Sequence, residues 1–103
     1  MVAYVHARGI RINNNVAINQ LGKSDTEDLV NTYSSSGTAD DPIQVNNNQF
    51  YGSGSSHSGG GILLGDGGGS YMEARNKFIV NPGQYGLAMS GHHQVFSNNK
   101  LIQ

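Results

Sequence analysis

Tyr33, Asp66, His92 and His93 are the residues whose types could act together on a ligand. A carboxylate can accept hydrogen bonds from hydroxyl groups or exchange a proton. An imidazole titrates near neutrality, and a phenol ring offers a flat apolar face. The set suits a polysaccharide, but its members are dispersed along the chain. Only a fold that stacks residues 29–34, 61–67 and 86–93 side by side would assemble them. Ser90, His92 and Asp66 can also be written as a Ser-His-Asp set, but no nucleophile elbow surrounds the serine.

Other constellations carry less. Glu73 and Arg75 read as a surface ion pair, and Asp25, Glu27 and Asp28 beside Lys23 lack Ca²⁺-loop spacing. Ser24 and Glu27 match a capping box, which allows a short helix from Asp25. The Gly65–Gly69 run lacks the Lys-Ser/Thr of a phosphate loop. There is no cysteine, so neither a disulfide framework nor a thiolate metal site is available. No metal or cofactor is expected. A formal net charge of −1, with 13% charged residues, leaves no footprint for nucleic acid or an anionic membrane. Residues 1–9 show no apolar signal-peptide core, and no window reaches transmembrane length. Location is left open.

The elements that must position Tyr33, Asp66 and the histidines are short strands. The chain has 15 Gly and 12 Asn, which disfavours long helices and favours frequent corners at positive φ. Strand-like segments recur at 10–12, 43–45, 72–74 and 95–97. Each is followed by an asparagine, at Asn14, Asn47, Asn76 and Asn98, and then by a second short apolar stretch. A third strand type precedes them at 2–5, 29–33, 61–65 and 86–90. Four passes of three short strands predict an all-β chain, a right-handed parallel β-helix of about four coils forming a single domain over residues 1–103. The stacked asparagines would act as turns and amide ladders. In this register Leu29, Ile62 and Leu87 coincide and point inward with Asn31, Leu64 and Met89. Tyr33 meets Asp66 and Gly91 on one edge, and His92 follows beside Ser34 and Gly67.

DPIQVNNNQFYGSG, SGGGILLGDGGGSYMEARNKFIVNPGQYGLAMSG and SNNKLI, with GKSDTEDLVNTYSSSGTADD before them, resemble parallel β-helix repeat proteins of the pectin-lyase-like superfamily. These are usually described as carbohydrate-binding or sugar-hydrolase-like repeats. The resemblance covers residues 9–103, and it implies the central coils of a longer parent and a secreted or cell-surface setting. Fold does not select among the superfamily's lyases, hydrolases, epimerases and adhesins. The stacked edge supplies one carboxylate, Asp66, whereas lyase and hydrolase sites need several. The expected function is therefore a non-catalytic module contacting carbohydrate or another macromolecule through Tyr33, Asp66, His92 and His93. The alternatives are a polysaccharide-active enzyme, with Asp66 as acid/base and His92 or His93 assisting, and a purely structural assembly protein. Apolar strands near both ends of the sequence predict a homo-oligomer, most simply a symmetric dimer.

Overall fold

The computed structural model describes residues 1–20, 23, 26–52 and 59–102. Ser24 and Asp25, on which the expected helix cap depends, lie outside that set. The described residues contain no helix. They form β1 (Val2–Ala3), β2 (Val16–Ile18), β3 (Val30–Ser36), β4 (Ile43–Gln44) and β5 (Gln49–Tyr51), then β6 (Ile62–Arg75), β7 (Phe78–Val80), β8 (Leu87–Met89), β9 (His92–Ser97) and β10 (Lys100–Ile102).

Every strand ladder is parallel. One sheet runs β1-β3-β6-β4, with β8 and β9 also bonded to β6, and the other runs β2-β5-β7-β10. In the second sheet each strand bonds to the next one of its kind, so Ala17, Phe50, Ile79 and Leu101 fall in one column. The first sheet departs from the expected pattern: β6 is continuous and serves two strand types. Its first part bonds β8 and its second part bonds β4 and β9. The expected strand at 10–12 survives only as the Arg11–Gln44 bridge.

Alternation along the strands sets the core. Ile43, Val45, Ile62, Leu64, Met72 and Ala74 from one sheet meet Phe50 and Ile79 from the other, all buried. Buried polar groups are tied to the neighbouring pass. Thr32 Oγ1 accepts from Gly65 N at 3.0 Å, and Ser35 Oγ accepts from Val5 N at 2.9 Å.

The corners follow the asparagine pattern. Asn14, Asn47, Asn76 and Asn98 all have φ between 53° and 61°. Asparagine is the side-chain-bearing residue that tolerates this region best, and four stacked copies turn the chain at one place.

One part of the expected register is corrected. Ile62, which pairs with Leu87, aligns with Val30 rather than Leu29, and Leu64, which pairs with Met89, aligns with Thr32 rather than Asn31. Asn31 instead joins the column of Leu63 and Ala88. The reason is a bulge. Between the Thr32–Leu64 and Tyr33–Asp66 pairs, β6 carries one extra residue, Gly65, at φ 78°. Counting back from Tyr33–Asp66 without that residue shifts every earlier pair by one.

Candidate functional site

The expected pairing of Tyr33 with Asp66 is present, as direct partners in the β3–β6 ladder. Tyr4 lies beside Tyr33, with ring centroids 6.1 Å apart and an interplanar angle of 32°. His6 meets the edge of Tyr4 at 5.7 Å. Tyr4 is 67% exposed and Tyr33 47% exposed, so the two phenols form an open aromatic ledge. Glycine shapes this ledge. A Cβ on Gly67 would stand 2.7 Å from Ser34 Oγ and 3.1 Å from Tyr33 Cε2. The Tyr33 ring therefore lies close along the backbone of β6, as only a glycine neighbour permits.

Beyond the ledge a polar network runs across three passes. Asn31 Nδ2 donates to Asp66 Oδ2 at 2.9 Å and to Asp28 Oδ2 at 3.1 Å. Asp28 Oδ1 accepts from Gly60 N at 3.1 Å and from the Tyr85 hydroxyl. Asn31 is itself buried, and its Oδ1 has no hydrogen-bond donor among the described residues. Burial raises the pKa of the Tyr85 hydroxyl well above the ordinary phenol range, and donation to the Asp28 carboxylate adds to the effect. Tyr85 thus remains a hydrogen-bond donor at physiological pH. Between described residues the ion pairs are Arg8–Asp40, Arg11–Asp41 and Arg75–Glu73, so no described arginine or lysine pairs with Asp28 or Asp66.

Asp28 and Tyr85 were not singled out as site residues on sequence grounds, although a signal was there. Asp28, Gly60 and Tyr85 each stand two residues before the aligned Val30, Ile62 and Leu87. A correct register would have placed them in one column.

The histidines lie elsewhere. His92 pairs with Ser70, four residues beyond Asp66 on β6, and not beside Gly67. The glycine run is the cause: Tyr33 pairs with Asp66 but Ser35 pairs with Gly69, so a second residue of β6 is looped out. His93 stacks on Tyr71 with centroids 4.7 Å apart and planes 4° from parallel, both residues at positive φ. No hydrogen bond joins either histidine to Asp66 among the described residues. The expected edge of Tyr33, Asp66 and His92 is thus divided, with Tyr33 and Asp66 together and His92 and His93 further along.

Glu73 and Arg75 form the expected ion pair at 2.7 Å, and it is built into the structure. Asn46 Nδ2 donates to Glu73, and Arg75 Nη1 donates to Ser97 Oγ at 2.9 Å. Among the described residues no group of three His, Asp or Glu side chains could hold a metal ion. No family model, curated protein or solved structure matches the chain.

Proposed function

We propose that the chain is a non-catalytic carbohydrate-binding module, built as a right-handed parallel β-helix of about four coils in the manner of the pectin-lyase-like proteins. Support for the fold comes from the uniformly parallel ladders and the four asparagine corners at positive φ. The observation that carries the function is the exposed pair Tyr4 and Tyr33 beside Asp66. The phenol faces stack on the apolar face of a sugar ring, and Asp66 accepts hydrogen bonds from its hydroxyls. A glycan array, followed by calorimetry on the best ligand, tests this. Tyr33→Ala is expected to weaken binding about tenfold, equivalent to about 1.4 kcal/mol. Unchanged affinity in Tyr33→Ala and in Tyr4→Ala would remove the ledge from the function.

One observation favours the enzyme alternative: Asp28 supplies a second carboxylate, linked to Asp66 through Asn31. Paired carboxylates are the machinery of glycoside hydrolysis. Turnover of a polysaccharide that is lost in both Asp66→Asn and Asp28→Asn would establish that alternative. Absence of turnover across neutral and acidic polymers would leave the binding module.

Self-association belongs to the same proposal. Val16 and Ile18 on β2 are 62% and 68% exposed, and Leu101 and Ile102 on β10 are 46% and 37% exposed. Beside β2 an apolar hollow of about 340 Å³ opens between Met1, Ile12, Ala17, Leu29, Val30 and Phe50. Both edge strands of the second sheet thus carry uncovered apolar side chains, which favours pairing with another copy. A polypeptide of these 103 residues is expected to sediment above the monomer mass at micromolar concentration. A monomer whose melting temperature is independent of concentration would contradict this.

A further inference from the structure

Asn15, Asn48, Lys77 and Asn99 occupy one column, each just before the aligned residues Val16, Gln49, Phe78 and Lys100. Two of them do the same work. Asn48 Nδ2 donates to Ile12 O at 2.9 Å, and its Oδ1 accepts from Asn15 N at 2.9 Å. Asn99 Nδ2 donates to Ala74 O at 3.1 Å, and its Oδ1 accepts from Lys77 N at 3.0 Å. Each closes a donor and an acceptor of the preceding pass. Lysine cannot do this, because its ammonium group only donates.

Lys77 is nevertheless packed into that column, only 2% exposed. Its Nζ donates to Arg75 O at 2.9 Å. A charged ammonium has three N–H groups to satisfy, and this one carbonyl is the hydrogen-bond partner its Nζ has among the described residues. The charged groups around it offer little help. Glu73 is engaged by Arg75 Nε at 2.7 Å and by Asn46 Nδ2 at 3.2 Å. Arg75 on β6 and Lys100 on β10 are cations, and the column neighbours Asn48 and Asn99 are neutral.

We propose that Lys77 is folded in as the neutral amine, and that its protonation releases the corner between β6 and β7, making this position an acid-sensitive latch on β7 and β10. Burial supports this by lowering the lysine pKa from 10.5 to about 7, with Glu73 opposing the shift. The folded pKa lies below the unfolded one, so acid favours the unfolded chain. The stability associated with a neutral Lys77 is complete above the unfolded pKa of 10.5. It falls as pH drops towards about 7 and levels off below that.

Lys77→Asn restores the column and provides the reference. Melting and denaturant unfolding of both chains from pH 6 to pH 10 give the comparison. The unfolding constant of the native chain, relative to Lys77→Asn, is expected to fall about tenfold per pH unit within the window, on the order of a thousandfold in all. Lysine Cε chemical shifts then report the group itself, with one signal titrating near neutrality and absent from Lys77→Asn. Amide exchange in β7 and β10 at pH 6 should be faster in the native chain than in the variant. Parallel pH profiles, or a Lys77 Cε signal that titrates in the ordinary lysine range in the folded chain, would overturn the proposal.

Discussion

Gly60→Ala is expected to destabilise the chain by about 3 kcal/mol or more, read as a fall in denaturation midpoint. A Cβ at this position would stand 2.1 Å from the Tyr85 carbonyl oxygen and 2.8 Å from Tyr85 Cδ2. The first contact is with backbone, which cannot rotate away. That carbonyl accepts from Gly61 N at 2.9 Å, so displacing it also breaks a rung between passes. The second contact would lift the Tyr85 ring off the gap it crosses to reach Asp28. Gly68→Ala is the control. A Cβ there meets nothing within 4 Å, and the cost is confined to its φ of +99°, about 1 kcal/mol. Equal effects at the two positions would show that close packing over Gly60 is not what requires glycine.

The second large effect lies in the asparagine column. Asn48→Ala is expected to cost about 2–4 kcal/mol, because it removes a fully buried amide that bonds both the Ile12 carbonyl and the Asn15 N–H of the preceding pass. Asn76→Ala should cost less than about 1 kcal/mol. Its Nδ2 donates to Asn47 Oδ1 at 3.0 Å, but the pair is exposed and water can replace it. Thermal melts of the two variants under one buffer decide the matter. An Asn76 effect as large as that of Asn48 would mean that the exposed ladder, not the buried one, holds the passes together.

That contrast shows what could be read from the residues beforehand. Spacing alone located the corner, because only a residue tolerant of positive φ recurs at 14, 47, 76 and 98. Which asparagine is buried was not legible from spacing. Three adjacent asparagines at 46, 47 and 48 look alike in sequence, and only the third points into the interior. Tyr33 and Asp66 were legible as neighbours, since both close the same strand type. His92 was not, because the glycines that make β6 continuous also loop out residues that a strict count assigns to the ladder. Asp28 and Tyr85 were hidden for a related reason: a count that ignores the bulge at Gly65 does not align Asp28 with Gly60 and Tyr85, and their contact passes over Gly60 to join two passes that are not adjacent.

The polar network and the aromatic ledge share one residue. Asp66 is common to both: it pairs with Tyr33 in the ladder and accepts from Asn31 in the network. A ligand seated on Tyr4 and Tyr33 would therefore be sensed at Asn31 and Tyr85, although neither belongs to the ledge.

Amide chemical-shift mapping during titration with neutral, uronic and amino-sugar oligosaccharides tests the proposed carbohydrate-binding role most directly. Saturable shifts confined to Tyr4, Asn31, Tyr33, Asp66 and Tyr85 are expected with at least one of these classes, and none at His93 or Tyr71. Shifts centred on His93 and Tyr71, or no saturable shift with any class, would contradict it.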